Sequence, residues 1–270
     1  MIDPIARLAA EAARRGGEAI RAVADRPRAI THKGFRDDVT DADYAAQEAI
    51  FATLRGHHPD WPIVSEEQAG DLSAWTPPAG LWWVVDPLDG TSNFSHKIPH
   101  YCVSVAALQG ETIIAGAIYD PVRDHLFAAA HSQGATFNGA PVRVSPQTDP
   151  ADAILDSGLA RGREQRRYSL ALYQALATDC RTVRSLGSAA LALAYVAAGW
   201  VDGYFHLTLS PWDCAAGVLL IREAGGTVTL PDGGAWSLRQ GGLLASNGLI
   251  HDALVNISRA ALAGVNGAGA

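Results

Sequence analysis

Val84-Val85-Asp86-Pro87-Leu88-Asp89-Gly90-Thr91-Ser92-Asn93-Phe94 reads as an apolar strand that runs into two aspartates three residues apart. A Gly-Thr-Ser turn follows at once. Leu81-Trp82-Trp83 precedes the segment, so the aspartates leave a strand that is buried. Hard oxygen ligands and open backbone N–H groups then lie close together, a surface suited to a divalent metal and a phosphate. Read alone, the segment supports that chemistry and a plain solvated turn about equally.

The chain has 270 residues, 48% of them apolar, enough for one large domain or two lobes sharing a core. Its formal net charge of −7 argues against a nucleic-acid polymer or an anionic membrane as partner. Cys102, Cys180 and Cys214 are odd in number and widely spaced. They suggest neither a disulfide framework nor a zinc knuckle, and a reducing cytoplasm is the simplest location. No apolar run approaches the roughly 20 residues of a membrane span, and the charged first twenty residues lack a signal-peptide core.

Asp3-Pro4 and the apolar spacing through Val23 predict a helix over 3–24. Residues 26–40 read as a polar loop and 41–55 as a second helix. Strands are expected at 62–65, 81–85, 102–108, 112–119 and 125–130, the last three forming a meander, with a turn at 134–141. Beyond residue 152 strands alternate with helices: strands at 154–155, 182–184 and 202–207, helices at 165–177, 188–198 and 213–224. Gly225-Gly226 stops the last helix, and the Ala/Gly-rich tail after Leu262 reads as frayed. The expected division is an N-terminal α+β lobe, 1–148, carrying most of the acidic candidates, and a C-terminal α/β lobe, 149–265, carrying Asp213. Together they would form one catalytic unit.

Four acidic clusters stand out: Asp37, Asp38, Asp41 and Asp43; Glu66-Glu67; Asp86 and Asp89; and Asp213. Three sit where a strand ends or a helix begins, the edge where α/β folds gather ligands. Oxygen-only ligands suit magnesium or manganese, and this many carboxylates suit more than one ion. Taken singly, Asp37 and Asp38 read as solvated, Glu66-Glu67 as a surface pair and Asp213 as a helix N-cap. Asp41-Ala42-Asp43 lacks the apolar strand of an aspartyl-phosphate enzyme. Cys180 with Arg184 makes no cysteine-phosphatase loop, Cys214 reads as a small buried residue, and His57-His58 as solvated imidazoles.

Asp86-Pro87-Leu88-Asp89-Gly90-Thr91-Ser92-Asn93-Phe94 resembles the signature of the inositol monophosphatase family. Pro211-Trp212-Asp213-Cys214-Ala215-Ala216-Gly217 resembles its second signature. Ser65-Glu66-Glu67, Asp38-Val39-Thr40-Asp41-Ala42-Asp43 and Arg184-Ser185-Leu186-Gly187-Ser188-Ala189-Ala190 resemble three further family segments. All five occur in the family's order, over about residues 5–255. The ordered set carries the resemblance; each motif alone is modest.

The resemblance implies an α/β (α+β) fold, the layered α/β/α/β/α sandwich of the inositol monophosphatase and fructose-1,6-bisphosphatase type. It implies a lithium-sensitive homodimer that uses two or three Mg2+ ions, with Mn2+ as a substitute. Glu66, Asp86 and the Leu88 carbonyl would hold one ion; Asp86, Asp89 and Asp213 a second; Glu66 would help with a third. Gly90 and Thr91 amides would receive phosphate, and Thr91, paired with Asp43, would orient the attacking water. The catalytic set is thus Thr91, Asp43 and Glu66.

The substrate side departs from the family pattern. Where the family often carries a glutamate for a substrate hydroxyl, this chain has His206. An imidazole cannot accept from two adjacent hydroxyls as a carboxylate can, so inositol 1-phosphate gives ground to histidinol phosphate, a sugar phosphate or a nucleotide 3′-phosphate. His206 and Ser188 are the substrate-side candidates, although His206 could simply end a strand. Ser65 stands in place of a glycine, and the segment holding Lys33 is one residue short. A non-catalytic metal-binding or regulatory member is the expectation from a different class.

Overall fold

The computed structural model describes residues 3–25, 30–34, 37–69 and 76–267. The side chains of Lys33, Asp37 and Asp38 lie outside the described residues. Helix α1 (Pro4–Val23) starts as its sequence predicts: Asp3 accepts from the Ile5 and Ala6 N–H groups at 2.8 and 3.2 Å, and Pro4 opens the first turn. The expected loop after it instead contains an antiparallel pair, β1 (Ile30–Gly34) and β2 (Asp37–Thr40). Helix α2 (Asp41–His57) follows. His57 lies in its last turn, with Nδ1 on the Thr53 carbonyl, and His58 stacks on Trp61 at 4.1 Å. His57 stays exposed, as expected, whereas His58 is half-buried against Trp61.

The first sheet has seven strands in chain order: β3 (Ile63–Ser65), β4 (Leu81–Asp89), β5 (Cys102–Gln109), β6 (Thr112–Asp120), β7 (His125–Ala130), β8 (Ala135–Phe137) and β9 (Ala140–Val142). Only β3 and β4 pair in parallel; the rest is the expected meander, extended by β8 and β9. The predicted turn at 134–141 is thus a hairpin. Its Asn138-Gly139 corner has positive φ at both residues, the local signal for a tight two-residue loop. A single-turn helix, α3 (Thr91–Ser95), leaves the end of β4.

The second sheet is built from β10 (Ile154–Ser157), β11 (Thr182–Arg184), β12 (Gly203–His206), β13 (Thr227–Thr229) and β14 (Leu243–Ser246), in the order β11-β10-β12-β14-β13. Helices α4 (Arg163–Asp179), α5 (Ala189–Ala197), α6 (Pro211–Glu223) and α7 (His251–Gly267) complete the fold. The tail expected to fray is the end of α7, helical through Gly267.

Three buried clusters show how the layers stack. Ala9, Ile20, Ile50 and Leu54 of α1 and α2 meet Trp83, Val85, Val103 and Val105 on one face of the first sheet. On its other face Trp82, Val84 and Ala106 meet α5 and α6, which also pack on Tyr204 and Ala245 of the second sheet. Beyond that sheet, Leu155, Phe205 and Leu244 meet Leu172 and Leu176 of α4 and Leu254 of α7. The order is helix, sheet, helix, sheet, helix, as expected. Trp82 and Trp83 are fully buried on opposite faces of β4. Each takes ~200 Å² out of water, worth ~5 kcal/mol of transfer free energy, which fixes β4 between two helical layers.

Beyond Val85 the pleat of β4 is interrupted. Asp86 pairs with Ser104 and Asp89 with Cys102, so three steps along β4 match two along β5. This is a β-bulge. In a regular strand residues three apart point to opposite faces. The extra residue brings Asp86 and Asp89 to the same side.

Candidate active site

Asp86, Asp89 and Asp213 converge: each offers a carboxylate oxygen within 4.8 Å of the others. Two come from the bulged end of β4. The third is set by α6, whose N-cap Ser210 donates its N–H to Asp213 Oδ2 at 2.7 Å. Asp213 is therefore the third helical residue of a capping box and not the N-cap itself. The start of α6 is tied to the first sheet by Ser104, the strand partner of Asp86, whose hydroxyl donates to the Trp212 carbonyl at 3.1 Å.

Asp43 occupies the same position in α2. Its Oδ2 accepts from the Thr40 N–H at 2.8 Å and the Thr40 hydroxyl at 2.6 Å, closing a second capping box. Its Oδ1 lies 3.2 Å from Thr91 Oγ1, which also sits 2.9 Å from the Leu88 carbonyl. The two predicted partners Thr91 and Asp43 are thus in contact, and Leu88 joins them. Gly90, at φ +96°, turns the chain from β4 into α3. A Cβ there would come 3.1 Å from the His100 carbonyl oxygen and 3.2 Å from the Tyr101 Cα, so only glycine makes the turn without strain.

Asp89 is held from behind. Ser188, at the cap of α5, donates its hydroxyl to Asp89 Oδ2 at 2.5 Å, and the Ala190 N–H donates to the same oxygen at 2.7 Å. The Cys102 thiol points at it from 3.7 Å. Ser188, predicted on the substrate side, lines the cavity and also holds this carboxylate. Glu66 is outside the group of three but lines the same cavity, of about 1010 Å³, with Asp89, Asp213 and His206. His206 ends β12 as a partly buried side chain. The Thr208 N–H donates to its Nδ1 at 3.0 Å.

Charge is concentrated at Asp86, 1% exposed. Burial raises its pKa well above the usual carboxylate range, and Glu66, Asp89, Asp213 and Asp43 push it further. Asp43 is pushed up to about 6, first by burial, although the Thr40 hydrogen bonds oppose this. So much like charge in a dry place is costly unless a cation or protons neutralise it. The donor set, all oxygen, fits a hard divalent cation. His206 goes the other way, down to about 4, through burial and then the charge of Arg161. Its ring is neutral at pH 7.

Two groups were not singled out in the sequence. Cys102 supports Asp89 only because β5 pairs with the bulge, which no local pattern reveals. Asp156 lines the cavity from β10. An acid directly after apolar Ile154-Leu155 is the signal that marked Asp86, and it could have marked Asp156 too. Cys214 is buried as expected, its thiol on the Ser210 carbonyl.

The model of the inositol monophosphatase family matches residues 1–263. The chain belongs to this family. It is 40% identical over 258 residues to the Nus factor SuhB of Escherichia coli strain K12, covering 94% of this chain and 95% of that one. The solved inositol monophosphatase of Anabaena (Nostoc) sp. PCC 7120 superposes with a TM-score of 0.82 at 37% identity, over 93% of each chain. SaIMPase-II, solved with inositol monophosphate bound, gives 0.77 at 25% identity, over 93% of this chain and 91% of that one. Among the described residues no helix of this family member is long and apolar enough to cross a membrane.

Proposed function

We propose that the protein hydrolyses a small phosphate monoester with the help of Mg2+, by attack of water and without a covalent intermediate. The observation that carries this reading is the placing of Thr91 and Asp43 beside the convergent Asp86, Asp89 and Asp213. Glu66, Asp86, the Leu88 carbonyl, Asp89 and Asp213 would hold the cations. Bound there, they would supply Lewis-acid activation of water and counter-charge for phosphate.

The chain's own groups do the rest. The Thr91 hydroxyl, turned toward Asp43, presents its oxygen as acceptor to a water proton, while Asp43 accepts from Thr91. Gly90 and Thr91 N–H groups offer donors to phosphate oxygens; α3 is one turn long, so the amides rather than a macrodipole matter. The capping box at the start of α6 keeps Asp213 fixed while charge moves nearby. No thiolate competes as nucleophile: burial pushes Cys102 and Cys214 well up and Cys180 to about 11. Inositol 1-phosphate leads the substrate class, with histidinol phosphate, sugar phosphates and nucleotide 3′-phosphates behind it. A cytoplasmic, lithium-sensitive homodimer, divided near residue 148, belongs to the same reading.

The test is phosphate release from a panel of these esters with and without Mg2+, on wild type and Asp89→Asn. The wild type is expected to turn over at least one ester only with Mg2+. The variant should lose ~100-fold or more while keeping its circular dichroism. Near-normal activity in Asp89→Asn would mean that the metal assignment is wrong. The name of the E. coli relative, a Nus factor, favours a second reading, a partner-binding member without catalysis. A wild type inert on the whole panel would favour it.

A further inference from the structure

One buried acid in the cavity has no place in the reaction just described. Asp156 is 1% exposed. It stands in β10 between Arg184 of β11 and Tyr204 of β12. Its Oδ1 accepts from the Ser157 N–H at 2.6 Å and the Leu186 N–H at 3.3 Å. Its Oδ2 is shut off from bulk water and has no hydrogen-bond partner among the described residues. A buried carboxylate oxygen left empty is costly, and such groups are rare without a reason.

The pleat puts Asp156 on the same face as Tyr204 and, two residues on, His206. This face meets the cavity, whereas Leu155 and Phe205 point into the cluster under α4 and α7. His206 lies over Gly158: a Cβ there would come 2.6 Å from its Nε2. Because Nδ1 is taken by the Thr208 N–H, the neutral ring carries its proton on Nε2. The wall therefore holds one empty acceptor just under its surface and one donor. Tyr204, whose hydroxyl feels the charges of Asp156, Asp89 and Asp213 together, ties this wall to the acidic group.

We propose that Asp156 is a specificity-determining residue, accepting a hydrogen bond from a hydroxyl on the alcohol part of the substrate, with His206 Nε2–H donating to the same or an adjacent hydroxyl. The inference rests on the phosphomonoesterase reading and deepens it by naming the residue that reads the alcohol part of the ester. A hydroxyl both gives and takes a hydrogen bond, which matches an acceptor beside a donor. An ammonium group gives only, and would face Arg161 and Arg166 on the same cavity and the Arg184 charge felt by Asp156. Burial pushes Asp156 up to about 6, so at neutral pH it remains a carboxylate able to accept.

The experiment is steady-state kinetics with Mg2+ on wild type and Asp156→Asn, using inositol 1-phosphate, glycerol 2-phosphate and glucose 1-phosphate against phenyl phosphate, which carries no hydroxyl. Asparagine keeps the oxygen that faces Ser157 and Leu186 and replaces the empty acceptor by a donor. The variant is expected to raise KM for the preferred hydroxylated ester about tenfold or more, with little change in kcat. Both constants for phenyl phosphate should stay within about twofold. Equal losses on all four esters would make Asp156 a purely structural group and overturn the proposal. So would unchanged kinetics, or a wild type that prefers phenyl phosphate. A wild type that releases phosphate from none of the four would instead overturn the hydrolase reading, and this inference with it.

Discussion

Ser188 gives its hydroxyl proton to Asp89 Oδ2 across 2.5 Å, joining the start of α5 to the bulged end of β4. The same hydroxyl oxygen lies 3.4 Å from the Leu191 N–H, which it caps from the N-cap position of α5. One side chain thus orients a carboxylate and caps the start of a helix.

Removing it should show in both roles. Ser188→Ala is expected to weaken Mg2+ binding about tenfold, as loss of a group that orients a ligand usually does. It should also cost ~2 kcal/mol of stability through the lost charged hydrogen bond and cap. Calorimetric titration with Mg2+ and urea denaturation measure the two. Unchanged affinity would show that the Ala190 N–H alone holds Asp89.

Thr91→Ala should lower kcat by ~100-fold with little change in KM, because Thr91 is assigned to the attacking water and not to the ground state. Thr91→Ser should recover much of the loss. Asp43→Asn should resemble Thr91→Ala, and the double variant should be no worse than either alone. Additive losses would separate the two residues.

The acidic face predicts how metal stabilisation varies with pH. Asp43 is raised from 3.8 to about 6, and Asp86 well above 3.8, chiefly by burial. A carboxyl with a raised folded pKa favours the fold when protonated. That gain is complete below the unfolded value and disappears as pH rises through the folded one. A cation then replaces the departed protons. The rise in Tm on adding saturating MgCl2 should therefore be larger at about pH 8 than at about pH 5. His100, His206 and His251, whose pKa values are lowered, shift Tm with and without metal alike and cancel in the difference. An increment that shrinks on going to high pH would contradict the assignment.

Gly90→Ala combines a left-handed backbone with close contacts to His100 and Tyr101. A destabilisation of ~2 kcal/mol is expected, read from the urea midpoint. Activity should fall further than stability explains, since Thr91 moves with the turn.

The sequence made some of this legible and hid the rest for physical reasons. The strand 81–85 and the turn after it are local, so Asp86, Asp89, Gly90 and Thr91 could be read directly. The capping boxes keep the Ser/Thr-x-x-acid spacing in Thr40 with Asp43 and Ser210 with Asp213, a local signal that the N-cap reading of Asp213 passes over. The bond from Ser188 to Asp89 is hidden in the sequence because nothing local connects residues 99 apart. β13 and β14 were missed because short strands with glycine-rich flanks are specified by their neighbours in the sheet. The 134–141 hairpin differs: its Asn138-Gly139 corner is a local signal that a reading as a turn alone passes over.

The bulge between Asp86 and Asp89 makes the reactive centre a matter of odd and even. The partners Ser104 and Cys102 are two apart, an even step, whereas Asp86 and Asp89 are three apart, an odd one, and the bulge absorbs the difference. Deleting Pro87 or Leu88 would restore regular pairing with both aspartates still on one face, but the Asp86 Oδ1 to Leu88 N–H bond at 3.0 Å would go with the bulge. The extra residue thus places the Leu88 carbonyl, which meets Thr91, between two carboxylates that a regular strand could also have set side by side.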